Sequence, residues 1–389
     1  MTTPYAPAQS PYTVRAAATP SELPYWQRLA AGVSFYCGTP WLEFSDTDHI
    51  ARARYFVGHR PTGEPSAGLI AHWSPQENNE RYVPERVLPA PPAGEAMIIG
   101  GRRGYLSGPL FAPGLSAAEQ GDALGTLLDA ATVWSPEAGG RWWWPYLTTD
   151  GATTIRAALT AAGRGPVAAQ LLGADCTIAV PEGGLDAHIG ALPTRQRRTN
   201  ARHELRAFAE SGLRIVRTTL AGHTDALGPL LANVQQKYGH DHSAEQMASL
   251  LQRQAEHLQD ASVVFLCLAP GDDRPVGFSL AYRHGRELAV RVVGFDYDRL
   301  RGAAEYAHLA VYEPVRYCRE NGLERVELGM ESFEAKSRRG AVIRPLWALH
   351  PVGAAPDLAA QEARRDTIVA ALPAHEAAHF RAETDSALA

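Results

Sequence analysis

The chain has 389 residues, of which 45% are hydrophobic, and carries a formal net charge of −5. This length has room for two or three domains, and the acidic balance excludes a broad basic surface that coats nucleic acid, although a small basic patch remains possible. No run of about 18 apolar residues is present that would span a membrane. The four cysteines are widely spaced without a CxxC pair, which favours buried thiols in a soluble, cytoplasmic protein.

The predicted elements of the first half follow a proline-rich leader at 1–20, which we expect to be disordered. A helix opens near Ser21, and a strand meander, a helix, a strand, a helix and a strand come after it. These elements are predicted at 54–57, 67–72, 96–99, 117–133, 141–147, 153–162 and 174–180. Ser116 is the predicted N-cap of the helix at 117–133.

The second half repeats this order. Helices are predicted at 195–211, 223–238, 243–258 and 303–320, and strands at 213–218, 263–268, 276–282, 287–295 and 325–330. Pro314 lies inside the last of these helices and is expected to bend it. A meander, a helix and a strand that returns beside the meander form one mixed-sheet α/β unit. We therefore predict an α/β fold with two similar tandem domains, at 21–181 and 182–351, and a helical tail at 352–389.

Lysine is rare in this chain, which has Lys237 and Lys336 beside 35 arginines. Lys336 directly follows the predicted strand at 325–330. Lysine is a compact point charge that can lose its proton when it is desolvated, whereas a guanidinium group stays charged. Two interpretations of Lys336 remain open: a functional cation at a strand exit, or a surface residue of a basic loop.

Four patches of sequence carry a resemblance to a known class. Residues 35–42 read FYCGTPWL, residues 104–110 read GYLSGPL and residues 334–340 read EAKSRRG, and the fourth patch joins 295–297 to 312–317. Together they resemble the Fem peptidyltransferase class of double acetyltransferase-fold (GNAT-like) proteins. The resemblance implies two tandem GNAT-like domains and amide formation from charged tRNA, as in relatives that build peptide-type antibiotics. The chain departs from the class at Ser107, where the class usually has Arg, and in lacking a long heptad arm.

The candidate site residues belong mainly to the second half. The resemblance implies that Lys336 contacts the donor, while Asp296 and Glu331 follow strand ends and either orient or deprotonate an amine or lie in solvent. Substrate contacts are expected at Lys237, Tyr238, Arg291, Tyr297, Tyr312 and Arg339. One stripe of a predicted helix carries Arg195, Arg198, Arg202 and Arg206, which is either an RNA-binding surface or a solvated helix face.

The acyl donor remains open between two classes. An aminoacyl-tRNA supplies a reactive ester, so that no ATP is needed, and no GxxxxGK[ST] motif is present. Acyl-CoA enzymes of this fold instead bind pyrophosphate with a Gln/Arg-x-x-Gly-x-Gly/Ala loop, and Arg299–Ala304 (RLRGAA) matches that pattern. A non-catalytic binder built from degenerate transferase domains is a third interpretation, which the charged residues at the strand ends disfavour.

The expected partners follow from the first of these classes. They are the CCA end of an aminoacyl-tRNA and a small-molecule amine acceptor, with no DNA and no membrane, and the protein is expected to act as a monomer. We expect no cofactor, with acyl-CoA as the alternative co-substrate. We also expect no metal, because His240 and His242 have no further ligand cluster beside them.

Overall fold

The computed structural model describes residues 3–5, 11–352 and 357–388. The chain divides into two compact units, of which unit 1 comprises the described residues of 1–174 and 344–389, and unit 2 comprises 175–343. Each boundary falls within a strand, so the chain leaves unit 1 once and returns to it. The sequence predicts boundaries at 181 and 351 instead, because a division inside a continuous strand leaves no turn or linker signal.

The elements are numbered in chain order. The strands are β1 Thr3–Tyr5, β2 Thr13–Ala17, β3 Arg52–His59, β4 Pro65–Trp73, β5 Met97–Ile99, β6 Leu110–Phe111, β7 Trp142–Thr148, β8 Val167–Ala179, β9 Arg214–Thr218, β10 Ser262–Leu268, β11 Pro275–His284, β12 Glu287–Phe295, β13 Arg325–Gly329 and β14 Val342–Pro351. The α-helices are α1 Trp26–Ala30, α2 Thr39–Ser45, α3 Pro84–Val87, α4 Ala117–Trp134, α5 Thr149–Ala161, α6 Gly184–Gly190, α7 Arg195–Glu210, α8 Thr224–Lys237, α9 Ala244–Leu258, α10 Glu305–Ala307, α11 Glu313–Glu320, α12 Phe333–Ser337, α13 Leu358–Ala370 and α14 Ala374–Leu388.

Unit 1 is built on a mixed sheet in which β1, β2, β3, β4, β5, β7 and β14 lie side by side and β6 pairs with β4. Strands β5 and β7 run parallel, with Ile98 opposite Trp143. The predicted cap of α4 is confirmed: the Ser116 side chain accepts the Glu119 amide, and the Glu119 side chain accepts the Ser116 amide in return. Such a capping box satisfies two helix-end donors.

Two segments of unit 1 differ from the sequence prediction. The expected disordered leader contains β2, which pairs with β3 and buries Val14 completely. The alternation of apolar and polar residues in β2 is short and lies between Pro11 and Pro20, so the sequence does not reveal the strand. The sequence does not predict strand β14, because Pro345 lies inside it and a proline removes a ladder donor. Its Leu346 and Trp347 are nevertheless fully buried.

Unit 2 has a six-stranded arrangement in the order β8, β13, β12, β11, β10 and β9. Strands β12 and β13 run parallel, and their residue pairs are Glu287 with Arg325, Leu288 with Val326, and Ala289 with Glu327. Beyond these pairs both strands continue without pairing to each other within the described chain. The sheet of unit 2 thus opens between β12 and β13 at their carboxyl ends. Ligands of α/β sheets bind at such openings.

The predicted helix at 303–320 is present in three segments. Between α10 and α11 the residues His308–Tyr312 form a π-helical turn, and Pro314 occupies the first turn of α11. A proline in a first turn costs no intrahelical hydrogen bond, so the wider turn explains how the chain accommodates it. Among the described helices, none combines the length and the apolar character that a membrane crossing requires.

Candidate active site

Within unit 2, the described non-glycine residues with left-handed backbones all follow β12 or β13. Gly302 and Ala304 follow β12 with φ angles of 69° and 61°, and Gly329, Glu331 and Ser332 follow with 68°, 66° and 51°. For a residue other than glycine, this conformation costs of order 1–3 kcal/mol and occurs most often at functional sites. These strained turns lie at the carboxyl ends of the two parallel strands β12 and β13, and we take this end of the two strands as the candidate site.

Lys336 lies beneath the turn that follows β13, and only 6% of its surface is exposed. Its Nζ donates to three backbone oxygens, those of Leu328 at 2.8 Å, Gly329 at 3.0 Å and Met330 at 2.8 Å. An ammonium group has three N–H donors, so the turn occupies all of them. Lys336 thus holds the strained turn that carries Glu331, while its contact with a donor stays a prediction.

A buried carboxyl group, Asp175 on β8, lies near this ammonium group, and a second, Glu327 on β13, interacts with Asp175. Their exposed fractions are 5% and 7%. Burial and then the Asp175 carboxyl raise the pKa of Glu327 to about 9, although Arg325 Nε lies 2.6 Å from Glu327 Oε1. Burial also raises the pKa of Asp175 and lowers that of Lys336. Two adjacent buried carboxyls share a proton more readily than they both ionise, so we describe the pair as singly protonated.

Glu327→Gln is expected to gain stability relative to the wild type as pH rises. The folded-state pKa of Glu327 lies above the value of about 4.3 for a free glutamate. Stability from its bound proton is therefore fully present below about pH 4 and is lost as pH rises towards 9. Glutamine keeps the shape and cannot ionise. Urea unfolding at about pH 5, 7 and 9 should show the difference in unfolding free energy growing with pH. Exposed Glu334→Gln is the control, and a pH-independent difference for Glu327→Gln would contradict the assignment.

Aromatic and cationic side chains gather at the end of β12, in what we name the strand-end cluster: Lys237, Tyr238, Phe295, Tyr297 and Tyr306. Lys237 Nζ lies 4.3 Å from the centre of the Tyr297 ring. The Phe295 ring centre lies 6.1 Å from that of Tyr297 and 6.4 Å from that of Tyr306. Burial raises the pKa of Tyr306 to about 12, with smaller effects from Arg339 and Tyr238. Since 62% of Tyr238 and 37% of Tyr297 are exposed, both rings are accessible to a ligand.

A second group of predicted residues meets on Glu204 of α7. The Tyr312 hydroxyl donates to Glu204 Oε2 at 2.5 Å, and Arg339 donates through Nη2 to Oε1 at 2.7 Å and through Nε to Oε2 at 3.1 Å. The His308 ring stacks on Phe208 at 4.0 Å, and burial lowers its pKa to about 4. This network joins α7, the π-helical turn and the segment after α12, so Tyr312 and Arg339 serve first to hold those elements together.

The remaining predicted residues are more dispersed. Asp296 forms an ion pair with Arg299, at 3.8 Å between Oδ2 and Nη1, and contributes to a different turn from that of Glu331. Arg291 is the extra residue of a β-bulge in β12, because Leu280 pairs with Val292 and Ala281 pairs with Val290. Bulges re-aim side chains next to binding sites.

The predicted arginine stripe lies on α7 and divides into two parts. Arg198 is half-buried and donates to the Leu192 carbonyl oxygen at 2.6 Å. Arg195, Arg202 and Arg206 are exposed; we name them the α7 arginine row. None of the three forms an ion pair with a described carboxylate.

Sequence analysis missed four carboxyl groups of this unit: Asp175, Glu204, Glu305 and Glu327. Two of them have a recognisable signal, because Asp175 interrupts the apolar run of β8 and Glu327 lies between the core residues Val326 and Leu328. An acidic residue inside a strand that is buried on both faces is rare unless it is paired. Glu204 carries no such signal, since it lies on a helix that is otherwise rich in arginine.

Comparison with known proteins identifies the fold. Residues 195–337 match the family model described as Acetyltransferase (GNAT) domain. The crystal structure of FemX is similar over 85% of this chain and 96% of its own, with 11% sequence identity and a TM-score of 0.61. L-PGS from Bacillus licheniformis is similar over 90% and 96% of the two chains, with 10% identity and a TM-score of 0.52. No curated protein matches the sequence.

These findings confirm the predicted fold. The chain has a tandem GNAT fold of the kind seen in FemX. The matched residues 195–337 lie wholly within unit 2, so the turns after β12 and β13 lie in the segment that matches the acetyltransferase (GNAT) domain model.

Proposed function

We propose that the protein is an aminoacyltransferase. It transfers the aminoacyl group of an aminoacyl-tRNA to the amine of a small metabolite or peptide, in the cytoplasm and within the biosynthesis of a natural product of the peptide-antibiotic type. The GNAT-type fold supports acyl transfer in general. The choice of donor is carried by one observation, the exposed α7 arginine row without carboxylate partners among the described residues.

The α7 arginine row suits a polyanion better than a compact metabolite. A helix rises 1.5 Å per residue, so Arg195 and Arg206 are about 16 Å apart along the axis of α7, with Arg202 between them. Some exposed arginines of unit 2 have carboxylate partners, such as Arg286 with Glu324 and Arg338 with Glu334, and others without one are scattered, whereas the three of the row share one helix face. Unneutralised cations in a row release counterions when they bind a nucleic-acid backbone, which supplies binding energy without reading sequence.

The reaction itself needs only the two substrates and a few polar groups. The amine nitrogen attacks the ester carbonyl carbon, the carbon–oxygen bond to the ribose breaks, the amine gives up one proton and the ribose oxygen gains one. We assign proton acceptance to Glu331 on the strained turn, with Asp296 as the alternative. Lys237 of the strand-end cluster supplies positive charge towards the substrate. Lys336 acts indirectly, because its three hydrogen bonds fix the turn on which Glu331 lies.

Retention of bulk charged tRNA on filters tests the proposal. We expect the wild-type protein to retain charged tRNA, with an affinity that falls steeply as salt rises and does not respond to added acetyl-CoA. A second candidate is an acyl-CoA-dependent N-acyltransferase of the same superfamily, which the residue spacing of Arg299–Ala304 favours. Absence of tRNA retention, together with a higher melting temperature in acetyl-CoA, would overturn our proposal in favour of this candidate.

A further inference from the structure

The loop at 299–304 leads directly into the helical segment that begins at Glu305. Gly302 and Ala304 both have left-handed backbones, and the first helical residues have amides with no partner inside the helix. In acyl-CoA enzymes the corresponding loop binds pyrophosphate, because a helix N-terminus attracts an anion.

The Glu305 side chain lies inside this loop. Only 3% of the residue is exposed, and its Oε1 accepts the backbone N–H of Arg301 at 2.6 Å. The loop thus already holds an anionic group, supplied by the first residue of its own helix, on a backbone donor that a phosphate would otherwise use.

The two arginine side chains of the loop do not offset the negative charge of Glu305, because both have other partners. Arg299 forms ion pairs with Asp272 and Asp296. Arg301 Nη1 donates to the Ser211 carbonyl oxygen at 2.6 Å. The two cations that the sequence pattern offers to a pyrophosphate are therefore engaged within unit 2.

We propose that Glu305 is a specificity-determining residue that excludes the pyrophosphate of acyl-CoA by the negative charge that its fixed carboxylate places in the loop. As an account of donor choice, the inference rests on the proposed function and deepens it. The loop keeps the residue spacing of an acyl-CoA site, but the charge of one side chain repels the pyrophosphate. Removing that side chain's charge opens the loop to a phosphate anion.

Coenzyme A and inorganic pyrophosphate are the probes for this inference, measured by calorimetric titration. The proteins compared are the wild type, Glu305→Gln and Glu305→Ala. Glu313→Gln is the matched control, because Glu313 is also a buried glutamate of this helical segment but lies away from the loop. Glu305→Gln keeps an oxygen acceptor for the Arg301 N–H, so it preserves the loop if the alanine variant does not fold.

We expect no measurable binding by the wild type and by Glu313→Gln. Glu305→Gln and Glu305→Ala should bind both probes. Their affinities should be at least about tenfold higher than the weakest affinity that the titration can detect. Wild-type binding as tight as that of the variants would overturn the inference. Failure of folded Glu305→Gln to bind either probe would overturn it as well.

Charged-tRNA retention on the same four proteins separates this inference from the proposed function. Retention by the wild type without any gain of coenzyme A binding in the Glu305 variants contradicts the role of Glu305 and leaves the function intact. A gain of coenzyme A binding without tRNA retention supports the role of Glu305 and contradicts the function.

Discussion

Lys336→Met is expected to lower the free energy of unfolding by about 3 kcal/mol or more. The substitution leaves the carbonyl oxygens of Leu328, Gly329 and Met330 without their shared donor, and it removes the cation near Asp175. Buried acceptors that lose a charged donor retain their full cost of desolvation. Urea unfolding followed by circular dichroism measures the effect.

Lys237→Met is the matched control, because Lys237 is the other lysine of the chain and is exposed. We expect its unfolding midpoint to stay close to that of the wild type. Lys336→Arg should also be destabilised, since a planar guanidinium group cannot direct three N–H groups at oxygens of three consecutive residues. Equal stability of Lys336→Met and Lys237→Met would show that the three hydrogen bonds contribute nothing to folding.

The triple variant Arg195→Ala, Arg202→Ala, Arg206→Ala is expected to lose most of the retention of charged tRNA while it folds normally. Each lost phosphate contact reduces the slope of log affinity against log salt by about 0.7–0.9, so the slope should become shallower by about 2–3. The exposed side chains make no ion pair with a described carboxylate, and stability should therefore change little. Filter retention at several salt concentrations gives both numbers.

Arg86→Ala, Arg253→Ala, Arg319→Ala is the matched control, because it removes three exposed arginines that lie outside α7. It lowers the net charge by the same amount. If both triple variants lose affinity equally, general charge rather than the α7 arginine row attracts the tRNA. If neither loses affinity, the row is a solvated helix face.

Much of the fold can be predicted from this sequence because its signals are local. The meander of unit 2 is bounded by turn residues, and the cap at Ser116 is specified within four residues. Strand β14 escapes prediction because Pro345 lies within it. The division of the chain at 174 and 343 also escapes, because membership of a unit depends on contacts distant in sequence.

The candidate site is harder to predict from sequence than the fold, because it depends more on contacts between residues that are distant in sequence. Sequence identifies Lys336 as unusual, yet the fate of its ammonium depends on a turn that only the folded chain defines. Whether a cation reaches outward to a substrate or inward to its own backbone is decided by a few rotatable bonds. The pairing of Glu204 with Arg339 spans 135 residues, and no local spacing indicates it.

The positions of the two units in the chain decide the order in which they can fold during translation. Unit 2 is one continuous segment, 175–343, whereas unit 1 includes residues on both sides of it. During translation, unit 2 is complete as soon as its last residue leaves the ribosome. Unit 1 has to wait for β14, which pairs with β7 through Leu346 and Thr148. Until then β7 presents an unpaired edge, the kind of surface that nascent chains use to associate wrongly, so the domain made first is the one that finishes last.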